Sequence, residues 1–210
     1  MKLFTYFRST ASYRVRLALA YKQIPYESHF VNLRVNEQSQ DYKTINPFGL
    51  VPALQTESGT ISQSLAIIEY IENRHPTPAL FLKDSSLQSK AMEIALSISC
   101  DIHPLNNLRV LNYLSNVLKI DDTQKTDWYH HWVHEGFKPI EQMLAQTAGS
   151  FCIGDTISVS DICLIPQVYN ANRFNVDMLS YPIIKKINKN VLSFDWAQKA
   201  SPEVQEDALV

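Results

Sequence analysis

The sequence predicts an α/β domain followed by an all-helical domain. Three observations carry this. Strand-like and helix-like patterns alternate over residues 3–74. A stretch punctuated by Pro76 and Pro78, PTPALFLKDSS, reads as a linker because proline resists continuation of a helix. Beyond it, long segments carry apolar residues at helical spacing with little glycine. The expected domains are 1–80 and 87–210.

In the first domain, Leu3 to Phe7 is an aromatic-rich run suited to a strand. Ser12 is placed to cap a helix in which Val15, Ala18, Leu19 and Lys22 share a face, and Pro25 ends it. Ser28 to Leu33 reads as a second strand. Residues 34–46 are polar and are expected to be irregular, with a helical turn at most. NPFGLVPALQT combines loop punctuation with a strand, ESG at 57–59 is a turn, and TISQ is the short strand after it. From Ser64 a helix presents Leu65, Ile68 and Ile71 and stops before Pro76.

In the second domain, helices are expected within 87–118, 124–147, 159–174 and 182–192. Ser158-Val-Ser-Asp161 has capping-box spacing, with Ile157 and Ile162 flanking it as a hydrophobic staple. That motif is assigned to folding. The closing SPEVQEDALV is polar and expected to fray.

Composition limits the function classes. The 210 residues are 45% hydrophobic and 19% charged, as in a globular protein. A net charge of −2 provides no global field for nucleic acid or membrane. The apolar stretches are too short to span a bilayer, and Arg8, Arg14 and Arg16 interrupt any signal-peptide core. Three cysteines without paired spacing, Cys100, Cys152 and Cys163, read as free thiols in a reducing cytoplasm.

Three segments of the first domain carry chemistry. YFRSTASYRVRLALA puts Ser9, Thr10 and Ser12 before a helix, where hydroxyls either cap the helix or hold an anion. In Leu50-Val51-Pro52, a cis proline bond would turn the Val51 N–H and C=O toward a ligand backbone. Gln63-Ser64 opens the next helix. Each alone is met by plain capping or an edge-strand proline. Together, at the carboxyl ends of strands, they suit a ligand bearing anions at two places. His130 and His134 have i, i+4 spacing but no third ligand, so no metal is expected. Trp128, Tyr129 and Trp132 read as helix packing. Arg14 and Arg16 read as solvated surface arginines.

FRSTASYRVRLALA, NPFGLVPAL, ISQSLAIIEYIE and the Ser158–Asp161 box together resemble the glutathione transferase superfamily. CDIHPLNNLRVL and PQVYNANRFNVD narrow the resemblance to its zeta class. The resemblance implies a thioredoxin-like N-terminal domain, a cis Pro52, glutathione as cofactor and a homodimer. It places Ser9 beside the glutathione sulfur, with Thr10 keeping a second hydroxyl and Ala11 where the family has cysteine, which excludes a thiol-dependent step there. Val51 and Pro52 meet the cysteinyl part, and Gln63 and Ser64 the γ-glutamyl end. Gln38 matches a contact to the glycine end. His103 and Asn107 line the site from the helical domain. Arg173 matches an arginine for a substrate carboxylate, and Arg8 is a second candidate by proximity, ahead of Arg109 and Arg14. The implied activity is cis–trans isomerisation of a maleyl compound by reversible thiolate addition, on maleylacetoacetate or maleylpyruvate, with conjugation of small haloacids as a side activity. A binding protein of the same fold without catalysis is the competing reading, and Ala11 is its foothold.

Overall fold

A four-stranded sheet organises the first part of the chain. The computed structural model describes residues 1–31 and 40–208. The strands are β1 (Lys2–Thr5), β2 (Glu27–Phe30), β3 (Ala53–Thr56) and β4 (Gly59–Ser62), in the spatial order β2-β1-β3-β4. β1 and β2 run parallel, joined through helix α1 (Thr10–Tyr21); β3 lies antiparallel to both β1 and β4. Helix α2 (Gln40–Ile45) precedes β3, and α3 (Ser64–Arg74) follows β4. The expected strand at 28–33 is therefore shorter, and its last two positions lie outside the described residues.

Side-chain alternation along the strands builds two cores. Leu3 and Leu54 pack with Val15 and Leu19 of α1 and Ile67 and Ile71 of α3. Their neighbours Phe4 and Ala53 point to the opposite face and pack with Tyr6, Val31, Tyr42 and Val51. This is the period of two that one buried pattern per face requires. Each fully buried aliphatic side chain contributes about 1.5–3 kcal/mol of burial energy.

Helix α1 is covered on more sides than its sequence suggests. It packs against α3 and against α9 (Asp195–Lys199). Arg14 is 2% and Arg16 1% exposed, so the expectation of solvated arginines is wrong. Arg16 stays charged in the interior because its guanidinium donates to Ala200 O (3.1 Å), Thr5 Oγ1 (3.3 Å), Tyr6 O (3.3 Å) and Phe7 O (3.0 Å). Lys22, at the end of α1, pairs with Glu72 at 2.6 Å. The same ammonium donates to His75 O (2.7 Å) and Pro78 O (2.6 Å), and Glu72 accepts the Leu80 N–H. This buried node anchors the chain where it leaves α3.

The chain forms two compact units, residues 1–80 with 192–210, and residues 81–191. Residues 192–210 group with the first unit, where α9 packs against α1. The closing segment is not frayed over its described part. It forms 3-10 turns at Pro202–Val204 and Glu206–Ala208, with Pro202 buried.

The second unit holds α4 (Ser85–Leu96), a π-helical turn (Ser97–Ile102), α5 (Leu108–Asn116), α6 (Asp122–Thr147), α7 (Val159–Arg173) and α8 (Pro182–Val191). The pattern over 87–118 is thus two helices, with Pro104 in the break between them. α7 is the central element, with almost every residue from Val159 to Ala171 buried. Gly136 of α6 permits close approach to the π-helical turn, because a Cβ there would collide with the Ile102 side chain.

The Ser158–Asp161 box forms as expected. The Ser158 N–H and hydroxyl donate to Asp161 Oδ2 at 2.9 and 3.0 Å, and the Cys152 N–H donates to Oδ1 at 2.8 Å. Ile157 and Ile162 are buried beside it. Burial pushes the Asp161 carboxyl up despite these donors.

Candidate active site

Strand register brings the three segments of the first unit to one end of the sheet. Phe4 pairs with Ala53, and Ala53 with Ser62. The chain leaving β1 toward Ser9, the Val51-Pro52 entry to β3, and the Gln63-Ser64 exit from β4 therefore emerge side by side.

Ser9 is the N-cap of α1, and its hydroxyl accepts the Ser12 N–H at 3.2 Å. The expectation that Ser12 caps the helix is corrected: Ser12 lies inside α1, fully buried. Its Oγ has no hydrogen-bond partner among the described residues. The cap falls on Ser9 because the Tyr6–Ser9 turn, closed by the Ser9 N–H donating to Tyr6 O at 2.9 Å, ends there. Ser9 is half-buried, Thr10 is the buried first residue of α1, and Ala11 is half-buried. The first turn of α1 contains no acidic residue, so the positive end of its backbone dipole faces outward uncompensated.

The Val51–Pro52 bond is cis. The preceding carbonyl, Leu50 O, is held by two donors, the Tyr42 hydroxyl at 2.7 Å and the Asn46 side-chain amide at 2.6 Å. Burial raises the Tyr42 phenol above its ordinary value, which keeps it a donor. Neither the N–H nor the C=O of Val51 makes a backbone hydrogen bond among the described residues.

Gln63, at the N-cap of α3, has φ = 74°, an uncommon conformation for a residue with a side chain. It is exposed, and the first turn of α3 also lacks an acid. Ser64 is buried, and its hydroxyl accepts from Arg14 Nη1 at 3.3 Å. A buried cation therefore sits beneath the second helix start. The sequence pattern gave no sign of it, because an arginine in an amphipathic helix is ordinarily solvated.

The remaining arginines and polar residues differ in setting. Arg8 is half-buried, with its guanidinium 4.9 Å from the Phe7 ring centroid. In the helical unit, half-buried His103 closes the π-helical turn through its N–H to Ile98 O (3.0 Å). Asn107 caps α5, its Oδ1 accepting the Arg109 N–H at 3.1 Å. Arg109 is exposed. Arg173 ends α7, exposed, 4.8 Å from the Phe174 ring centroid. Buried Tyr129 stacks on that same ring at 3.9 Å, and burial raises its phenol against the lowering effect of Arg173. His130 and His134 hydrogen-bond apart, to Phe174 O (2.8 Å) and to the Tyr181 hydroxyl (2.7 Å). Gln38 lies outside the described residues.

The donor set fits a peptide bearing an anion at two points. Two acid-free helix starts, each with a hydroxyl, flank a residue whose backbone N–H and C=O are open to pair with the ligand's own backbone. With the sheet order and the cis proline, this is the arrangement of a glutathione transferase, and glutathione is the tripeptide that meets those terms.

Comparison with known proteins agrees. Residues 1–73 match the family described as "Glutathione S-transferase, N-terminal domain". A probable maleylacetoacetate isomerase of Vibrio cholerae is 42% identical, over 98% of this chain and 97% of that protein. The holo structure of a bacterial maleyl pyruvate isomerase of the zeta class superposes with a TM-score of 0.97, at 38% identity, over 99% of this chain and 100% of that one. A maleylacetoacetate isomerase of Methylobacterium extorquens AM1, solved with malonate and glutathione, gives 0.95 at 34% identity over 99% of both chains. The chain belongs to the zeta class of the glutathione transferases.

Proposed function

We propose that this protein catalyses glutathione-dependent cis–trans isomerisation of maleylacetoacetate to fumarylacetoacetate. The observation that carries the reading is the shared sheet end, where Ser9, Val51 and Gln63-Ser64 meet in a chain this similar to maleylacetoacetate isomerases. When bound, glutathione supplies a thiolate nucleophile whose reversible addition frees the substrate double bond to rotate.

The chain's own residues make that thiolate accessible. A thiol of pKa about 8.5 is mostly protonated at neutral pH, and lowering it by two units takes about 2.7 kcal/mol. A hydrogen bond from the Ser9 hydroxyl to a charged sulfur contributes about 1.5–3 kcal/mol. The N-terminus of α1 adds about 0.3–1 kcal/mol. These two suffice without a titrating base. Gln63, Ser64 and the first turn of α3, backed by Arg14, hold the γ-glutamyl carboxylate, and Val51 pairs with the tripeptide backbone. His103 and Asn107 are proposed as further ligand-contacting residues, and Thr10 as a support for Ser9.

The substrate carries two carboxylates, and a net charge of −2 does not attract it. Arg173 and Arg8 are the local partners, each able to orient one carboxylate bidentately. Malonate in the Methylobacterium relative supports a small dicarboxylate.

Maleylpyruvate is the second reading, favoured by the superposition on the maleyl pyruvate isomerase. The deciding experiment follows cis-to-trans conversion of both compounds side by side, with and without glutathione. Turnover of maleylacetoacetate with the higher kcat/KM upholds the proposal. A preference for maleylpyruvate replaces the substrate, and glutathione binding without turnover of either leaves a binding protein. A homodimer is proposed as well, supported by exposed Phe48, Leu87 and Leu96, apolar side chains that a second copy would cover; sedimentation tests it. No helix among the described residues is long and apolar enough to cross a membrane. A reducing cytoplasmic location is proposed from the three free cysteines.

A further inference from the structure

The loop that carries Ser9 is held from a distant part of the chain. The Phe7 N–H donates to Asp207 Oδ2 at 2.8 Å, across 200 positions of sequence. Arg16 takes the carbonyls on the same loop, Tyr6 O at 3.3 Å and Phe7 O at 3.0 Å, and ties them to Ala200 O at 3.1 Å. Between them, Asp207 and Arg16 engage the N–H of Phe7 and the carbonyls of Tyr6 and Phe7, one turn before Ser9. The other carboxylate oxygen, Oδ1, is buried without a hydrogen-bond partner among the described residues. Burial raises the Asp207 carboxyl, against the lowering effect of Arg16. Asp207 is half-buried within a 3-10 turn at Glu206–Ala208, and its carboxylate is the acceptor that the Phe7 N–H uses. Its effect lies in what it fixes.

We propose that Asp207 is a positioning residue for the reaction: by accepting the Phe7 N–H it sets the Tyr6–Ser9 turn, and so the direction in which the Ser9 hydroxyl and the α1 N-terminus meet the glutathione sulfur. The proposal rests on the Ser9 reading above. Asp207 itself touches neither cofactor nor substrate. A misdirected hydroxyl would weaken the hydrogen bond to sulfur while leaving the anchors at Val51, Gln63 and Ser64 in place. Ionisation of the bound thiol, rather than affinity for the tripeptide, is therefore the property that Asp207 controls.

The test is an ultraviolet titration of the sulfur of bound glutathione in D207A, D207N, S9A and the parent protein. S-Methylglutathione affinity and thermal stability are measured alongside. D207A is expected to raise the bound thiol pKa by about one unit, so that the thiolate fraction at pH 7, and kcat with it, falls about threefold. S-Methylglutathione, which has no thiol, is expected to bind D207A within about twofold of the parent. D207N keeps an oxygen acceptor for the Phe7 N–H and is expected to restore the parent titration, which a merely structural loss would not predict. Should D207A fail to fold, a chain ended after Gln205 removes the same acceptor by another route. A folded D207A or truncated chain whose bound thiol titrates as in the parent overturns the proposal, whereas a shift with S9A alone leaves the Ser9 reading standing. No shift with S9A overturns that reading, and the route proposed here with it.

Discussion

Two helices of this protein begin with a serine and the same local chemistry, and they serve different ends. α7 starts at Ser158, which is fully buried, and its own Asp161 accepts the N-terminal donors. α1 starts at Ser9, which is half-buried, with no acid in its first turn and, among the described residues, the Ser12 N–H at 3.2 Å on its hydroxyl. In α7 the carboxylate that answers the helix dipole is covalently part of the chain. In α1 no residue of the first turn supplies one, and the proposed function gives that position to the glutathione sulfur. Capping chemistry alone therefore does not distinguish a folding motif from a binding site. The charge inventory of the first turn and its burial do.

The comparison can be broken at several points. The largest expected effect is on stability. D161A removes the acceptor of two buried N–H groups, those of Ser158 and Cys152, and is expected to destabilise the protein by about 3 kcal/mol. That corresponds to a melting temperature lower by roughly 10 °C. Denaturant unfolding measures it, and the fraction still folded should bind immobilised glutathione as before. S9A should do the reverse. Its loss as a cap is about 1 kcal/mol of stability, while thiolate stabilisation falls by about 2 kcal/mol, which at neutral pH means a roughly eightfold smaller thiolate population and a correspondingly slower turnover. A kcat that does not change would move the activating group elsewhere.

A third substitution writes the feature of α7 into α1. A11D places a carboxylate in the first turn, where it competes with the bound sulfur for the helix dipole. Stability should rise by about 0.3–1 kcal/mol, and the thiolate should become up to about twofold less populated at neutral pH. Bound-thiol titration and thermal melting read the two effects in opposite directions.

The smallest effect is on pH dependence. The Asp161 carboxyl titrates above its ordinary value of 3.8 in the folded chain, because burial disfavours its charge. The folded state thus holds this proton to higher pH than the unfolded state does. That contribution to stability is present below the unfolded value and is lost as pH rises through the folded one. D161N lacks the titration. The stability difference between parent and D161N should therefore shrink as pH rises from about 4 and then level off. A difference flat across that range would show that the donors of Ser158 and Cys152 balance burial, and one that grows with pH would show that they outweigh it.

Much of the fold was legible because it is locally encoded. The aromatic-rich run from Leu3 to Phe7, the stop before Pro76 and the box at Ser158 all act within a few residues. Ser9, the Val51-Pro52 pair and Gln63-Ser64 were legible as candidates for the same reason. Ser12 was misread as the cap because several hydroxyls crowd that helix start and only the Tyr6–Ser9 turn decides between them. Arg14 and Arg16 were misread because a charged residue in an amphipathic helix is ordinarily solvated. Asp207 was not a candidate at all, since its partner lies 200 positions away.

The sequence by itself determined the type of the strands and of the long helices, and which residues bear hydroxyls, amides and charges, since backbone preference and hydrophobic period are properties of neighbouring residues. Only the tertiary structure decided which serine stays open to an outside anion, which arginines are buried, and that Phe4, Ala53 and Ser62 stand in one row. The reason is physical: a periodic pattern states that a face must be covered, but what covers it depends on contacts between segments far apart in the chain.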